Sequence, residues 1–498
     1  MHQKTSCEKK KKTSCEKQSL KKSINTKRLQ PCRYLSFHFQ FIPYRTKRIP
    51  MARCTFPFSP CLSILLLLCF LAISTRAQVP ANNTFKIVNT GPLGEFQNFV
   101  PTAEYGATYR IITNDVYDFY TFPFRLCFYN TTPTSFVLGI RVGIPDDEGL
   151  MRWVWDANRN HPVKENATLS FGRDGNLVLA DSDGGLVWQT NTANKGVTGI
   201  KLLQNGNLVL YDTKGKFIWQ SFDYPVDSLL VGQSLRESGV NKLVSRTSDV
   251  DGSDGKYSLV LGDDGLLLYL NNAGQQVRYN GWPGNFGSTV RFNTQPSTWE
   301  PTPIAWNLIF EIFESPAPKP QVDGIQQLSK INYNATYSFL RLETDGNVKA
   351  YTYYDKVRFD RWMQTYTFFP SDLATACALP TKCGNFGLCQ NGMCVACPTP
   401  KGLLAWTENC QPPKLGSCGK KPKAKYFKLD GVQSFLNHQW SSDSQEVEME
   451  FGACRDKCTN DCNCKGFVYK QDTSKCLLMP LLLTLAKDVN TTSAYVKY

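Results

Sequence analysis

Short apolar runs separated by turn dipeptides dominate the middle of the chain, and they recur. Asp174-Gly175-Asn176 leads into Leu177-Val178-Leu179, then Leu186-Val187-Trp188-Gln189. An offset of 31 residues brings Asn205-Gly206-Asn207, Leu208-Val209-Leu210 and Phe217-Ile218-Trp219-Gln220. A degenerate earlier copy ends in Trp153-Val154-Trp155-Asp156, its Trp155 lying 33 residues before Trp188. Period-two alternation predicts strands, and Asp-Gly or Asn-Gly between branched apolar runs predicts hairpins. Each unit therefore reads as a hairpin followed by another strand. The leucines of each run share one face and the Asn/Val positions the other. No single unit can bury its leucine face and its indole alone. Three units around a pseudo-threefold axis can pool Trp155, Trp188 and Trp219 in one core, so these are read as core rather than as ligand-stacking rings.

A different pattern occupies the N-terminal region. Leu62–Ile73 is a 12-residue apolar stretch preceded by Met51 and Arg53 and followed by Thr75-Arg76-Ala77. That is the layout of a secretory signal peptide over 51–77, and it is too short to span a bilayer comfortably. Residues 1–50 then read as an upstream gene-model extension, with a disordered basic leader as the alternative. They carry 14 Lys+Arg against 2 Asp+Glu. The formal charge of +14 comes from this leader and the signal, so residues 78–498 are neutral and no nucleic-acid partner is implied. With 498 residues, 42% of them hydrophobic, the chain can bury several cores.

Cysteine usage agrees with export. Of 19 cysteines, 12 fall within the 122 residues Cys377–Tyr498, the density of a disulfide-stapled module in an oxidising compartment. Cys394-x-x-Cys397 lacks a second pair or histidines, so zinc is disfavoured and no metal or cofactor is expected. Asn82, Asn130, Asn166, Asn334 and Asn490 each open an Asn-x-Thr sequon. No second apolar run reaches 18 residues, so no membrane span is expected in the mature chain.

The repeats, closing in Trp219-Gln220-Ser221-Phe222-Asp223-Tyr224-Pro225, resemble bulb-type (mannose-binding) lectin domains, the first domain of plant S-locus glycoproteins and their receptor relatives. Gly255–Leu259, Gly262–Gly265 and Leu340–Asn347 resemble a second, divergent lectin-like prism. Cys377 through Cys389 resembles an EGF-like segment, and Cys454-x3-Cys458-x3-Cys462-x-Cys464 with Gly466–Tyr469 and Cys476 resembles a PAN (apple-like) domain. Within the family, the chain is most similar to epidermis-specific secreted glycoproteins without a kinase. The resemblance implies an all-β fold of tandem β-prisms followed by a disulfide-rich segment and a small α+β domain. The expected divisions are 85–224, 225–368, 373–412 and 418–498.

It also implies where sugar sites should lie. The family's pocket uses Gln-x-Asp-x-Asn-x-Val-x-Tyr, polar groups for vicinal hydroxyls and a valine for the ring carbons. The first good repeat has Gly172, Asp174, Asn176, Val178 and Ala180. The second has Leu203, Asn205, Asn207, Val209 and Tyr211, and the second prism has Glu343, Asp345, Asn347, Lys349 and Tyr351. Every copy departs from the pattern, which implies weak or absent mannose binding.

PAN modules imply the bridges Cys454–Cys476 and Cys458–Cys464. The EGF-like resemblance implies Cys377–Cys389, and Cys383 with Cys394 or Cys397, Cys410 taking the one left. The set adopted is Cys383–Cys394 and Cys397–Cys410, which leaves Cys418–Cys462. Cys127 is the odd cysteine, in an apolar strand-like run, and reads as a buried thiol rather than an intermolecular link. Catalysis is not expected. Only His161 and His438 follow the signal, 277 residues apart and in no catalytic motif, and Asp146-Asp147-Glu148 reads as a solvated loop. The function implied is a secreted apoplastic or cell-wall glycoprotein, a lectin-like module with degenerate mannose sites that binds glycans or proteins, with cell-wall glycans or glycoproteins as partners. The alternative is a soluble partner of receptor-kinase ectodomains.

Overall fold

In the computed structural model the residues described are 79–95, 103–145, 150–297, 305–314, 321–332, 334–357, 359–371, 374–416, 424–438, 447–487 and 491–498. The signal at 51–77, the leader at 1–50, Asp146-Asp147-Glu148, Cys418 and Asn490 lie outside them. All described residues belong to one unit, 72–498.

The repeats fold as hairpins with an added strand. Thr168–Phe171 pairs antiparallel with Leu177–Ala180, which pairs with Leu186–Gln189, and Phe85–Val88 completes this sheet at its other edge. The second repeat forms Gly199–Leu202, Leu208–Tyr211 and Phe217–Gln220. The third sheet is Thr108–Ile111, Phe124–Thr132, Ser135–Val142 and Arg152–Asp156. The turn glycines matter most at Gly206. Its φ is +84°, and a Cβ there would stand 2.8 Å from the Phe124 ring and 2.9 Å from Leu230. Only glycine meets both demands.

Leu177, Leu179, Leu208 and Leu210 are all fully buried, as strand alternation requires. Each contributes roughly 1.5–3 kcal/mol by leaving water. The indoles meet at the axis. Ring centroids are 6.1 Å apart for Trp155–Trp188 and Trp155–Trp219 and 5.8 Å for Trp188–Trp219, all edge-to-face. Trp155 and Trp219 are buried, but Trp188 is only half-buried, because the axis end opens into a cleft.

A second trio of four-stranded sheets follows. The first is Ser228–Leu230 with Ser338–Leu342, Val348–Tyr353 and Trp362–Thr367. The second is Ser234–Arg236 with Thr289–Pro296, Ala305–Phe313 and Gly324–Asn332, and the third Lys242–Arg246 with Asp254–Gly262, Gly265–Asn272 and Gln275–Pro283. Two five-stranded sheets complete the unit. One crosses the division expected between 373–412 and 418–498: Leu388–Gln390 runs parallel to Leu485–Lys487, which also pairs with Val432–Ser434. The other carries Gly466–Lys470 and Thr492–Lys497, against which packs Phe451–Asn460, the α-helix among the described residues.

Disulfides join Cys377–Cys389, Cys383–Cys394, Cys397–Cys410, Cys454–Cys476 and Cys458–Cys464. Cys462 is disulfide-bonded as well. Cys127 is a free thiol with no exposed surface, and burial pushes it up to about 11. It is inert at neutral pH by both access and ionisation.

Candidate functional site: three grooves and a tryptophan-lined cleft

The asparagine of each motif works as a staple across its own hairpin. Asn176 Nδ2 donates to Gln189 Oε1 at 2.7 Å, while its Oδ1 accepts from Thr190 Oγ1 and Thr192 N, both at 3.1 Å. Asn207 repeats the device: Nδ2 donates to Gln220 Oε1 at 2.8 Å, and Oδ1 accepts from Ser221 Oγ and Phe222 N at 3.2 Å. Asn347 donates to Phe369 O at 2.9 Å and accepts from Phe369 N at 3.0 Å. Both lone pairs of the carbonyl oxygen are therefore spent in Asn176 and Asn207. The residue two positions earlier closes the turn. Asp174, Asn205 and Asp345 each accept from the asparagine's own N–H, at 3.1, 3.2 and 2.8 Å.

The other motif positions differ between copies. In the first groove Gly172 and Ala180 supply no side-chain polar group, and Val178 is half-buried. In the second, Leu203 replaces an amide and Val209 is only 1% exposed, so its isopropyl group is closed to a sugar ring. The third groove is covered from the first prism. The Arg152 guanidinium sits 4.3 Å from the centre of the Tyr351 ring, and Trp362 Nε1 donates to Leu150 O at 2.5 Å. The Tyr351 hydroxyl donates to Glu343 Oε1 at 2.6 Å. Burial and then that carboxylate raise its pKa, and burial raises that of Glu343.

Arg152 belongs to a buried charge layer between the two trios of sheets. Arg341 donates to Glu104 Oε1 at 2.8 Å, to the Tyr105 hydroxyl at 3.2 Å and to Trp153 O. Arg159 meets Asp254 at 2.6 Å and Asp227 at 3.4 Å, and Arg246 reaches the Tyr129 hydroxyl at 3.0 Å and Asp156 at 3.5 Å. Burial raises the Asp156 pKa. None of these residues stands out in the sequence: their partners are 48 or more positions away, where no local periodicity reports on them. The weak available signal is charge at positions otherwise patterned as core, such as Arg341 between Leu340 and Leu342.

Beside the indoles lies a cleft of about 410 Å³. Trp188, Tyr224, Gln189, Asn191, His161 and Asp254 are among its walls. Tyr224 is 49% exposed and stacks on Trp219 with ring centroids 5.7 Å apart.

Of the sequons, Asn82, Asn166 and Asn334 are exposed. Asn130 is different: it is 7% exposed within Phe124–Thr132, and its Oδ1 accepts from Thr108 Oγ1.

Three sheets of hairpin repeats around a tryptophan axis, continued by a disulfide-rich region and a helix-on-sheet module, define a bulb-type lectin with a C-terminal PAN domain. Family models agree: D-mannose binding lectin matches residues 152–249 and PAN domain matches 432–493. The chain is 50% identical to EP1-like glycoprotein 2 of Arabidopsis thaliana over 441 residues, 85% of this chain and 95% of that protein. It is 50% identical to the Epidermis-specific secreted glycoprotein EP1 of Daucus carota over 375 residues, 71% of this chain and 92% of that protein. Receptor-like serine/threonine-protein kinase SD1-7 of Arabidopsis thaliana is 30% identical over 69% of this chain but only 40% of its own length. The chain belongs to the EP1-like family of plant glycoproteins. It is a lectin-like glycoprotein, and no helix among its described residues is long and apolar enough to cross a membrane.

Proposed function

We propose that the protein is exported through a signal peptide at 51–77 and works in the apoplast or cell wall by binding, without catalysis. Its partners are wall glycans or glycoproteins, met through surfaces other than the ancestral mannose grooves. The observation carrying this reading is the fate of the motif residues: Asn176, Asn207 and Asn347 staple hairpins, Val209 is closed off, and Arg152 covers Tyr351. A shallow sugar site has few hydrogen bonds to lose, at about 1 kcal/mol each. Export is supported by the relative named a secreted glycoprotein. Glycans are assigned to Asn82, Asn166 and Asn334, which are exposed, and to Asn490; Asn130 is the sequon least suited to carry one once folded. The division into a lectin prism (85–224), a second prism (225–368), an EGF-like segment (373–412) and a PAN domain (418–498), with a Cys418–Cys462 bridge, belongs to the same proposal. The test is expression in plant cells, recovery from apoplastic fluid and a glycan array with the recovered protein. Retention inside the cell, or binding confined to mannose, would overturn the reading.

Partnership with receptor ectodomains is a second reading, favoured by the 30% identity to a receptor kinase across 69% of this chain. Co-purification with such an ectodomain is its test, and monomeric behaviour in the mixture would count against it.

A further inference from the structure

The geometry points to the cleft at the tryptophan end of the first prism as a binding site for one ring of a neutral saccharide. This rests on the glycan-binding reading and locates it.

The cleft's volume of about 410 Å³ falls in the range of ligand pockets, roughly 300–1,000 Å³. Its apolar wall is aromatic and fixed. Tyr224 stacks on Trp219 with 17° between the ring planes, and its carbonyl accepts from Trp155 Nε1 at 3.0 Å. The ring is thus held against the indole triad while 49% of the residue faces solvent. Trp188, half-buried, adds a second aromatic surface. A core indole would normally be sealed, whereas here a polar cavity reaches the triad.

The polar wall has hydrogen-bonding capacity to spare. Gln189 uses its Oε1 to accept from Asn176, which leaves its Nε2 as a donor. The Asn191 amide and the His161 imidazole make no hydrogen bond among the described residues, and both residues are exposed. The loop that presents His161 is pinned: its N–H donates to Asn158 O at 2.9 Å, and its carbonyl accepts from Asn158 Nδ2 at 3.0 Å. Asp254 closes the far side, anchored by Arg159 and by Asn160 Nδ2 at 3.0 Å.

These features select the ligand class. A pyranose ring offers a C–H face that packs on aromatic rings and a rim of hydroxyls that both donate and accept. Fixed aromatic rings beside mixed amide and imidazole groups match both. The Arg159 guanidinium in the cleft is already held by Asp254 and Asp227, and the half-exposed Asp254 carboxylate in the wall disfavours an acidic sugar. The site is distinct from the three grooves: none of the motif positions at 172–180, 203–211 or 343–351 lines the cleft.

The test uses the full mature protein against an array of neutral and acidic oligosaccharides, then titration of tryptophan fluorescence with the best binder. The expected result is binding of a neutral glycan with a fluorescence change. Tyr224→Ala and Asn191→Gly, both at exposed positions, should each weaken it at least tenfold. Binding that is unaffected by both variants overturns this site while leaving glycan binding intact. Binding of acidic glycans alone overturns the neutral class assigned here. Absence of any glycan binding overturns the site together with the reading on which it rests.

Discussion

Arg341 Nη1 lies 2.8 Å from Glu104 Oε1, tying residues 237 positions apart across the layer between the two prisms. Arg341 is 2% exposed, so bulk solvent does not screen the pair. Arg341→Ala would leave Glu104 with Arg152 as its cation and would remove the guanidinium that donates to the Trp153 carbonyl. Glu104 keeps a cation, so the expected cost is that of the lost charged hydrogen bonds, about 1.5–3 kcal/mol. Scanning calorimetry should therefore show the prisms melting earlier, with limited proteolysis opening the layer between them. A variant as stable as the parent would mean that the charge layer does not join them.

The hairpin staples make a second prediction. Asn207→Ala removes the acceptor for Phe222 N–H and Ser221 Oγ and leaves a buried donor without its partner. The expected loss is about 1–3 kcal/mol in denaturant unfolding of the first prism. Glycan binding by the folded variant should not change. If binding falls while stability holds, Asn207 is a ligand group rather than a staple.

Cys127 should be silent. With its thiol pushed up to about 11 by burial, only about one molecule in a thousand would hold a thiolate at pH 8, and none of it is exposed. A thiol reagent should react only after denaturation, and non-reducing gels should show no linked dimer. Rapid labelling of native protein would contradict the buried position.

Reduction should divide the molecule. Among the described residues every disulfide lies within Cys377–Cys476, and loops of this size contribute roughly 2–4 kcal/mol each. Dithiothreitol should lower the melting of the C-terminal region and leave the fluorescence transition of Trp155, Trp188 and Trp219 nearly unmoved. A parallel fall in both would show that the first prism depends on the stapled region.

What the sequence made legible was local. A hairpin such as Thr168–Phe171 with Leu177–Ala180 is set by an Asp-Gly turn and adjacent alternation, so the repeat at 174 and 205 could be read directly. The three indoles could be assigned to one core because no single repeat could bury its own. Long-range pairing was not legible. The parallel contact of Leu388 with Leu485 joins stretches that look like separate modules, and nothing in either run names the other. The same holds at the third groove. Its loss of Val at Lys349 was visible, but its cover, Arg152 on Tyr351, comes from another prism. The half-exposed Trp188 escaped for a related reason: indole spacing predicts the triad but not whether the axis end is sealed.

The most direct test of the account is calorimetric titration of the mature protein with methyl α-mannoside, beside Tyr211→Phe and Tyr224→Ala variants. The grooves should give no saturable heat, and Tyr211→Phe should behave as the parent. Saturable mannoside binding that Tyr211→Phe abolishes and Tyr224→Ala leaves intact would show a working groove and refute their closure.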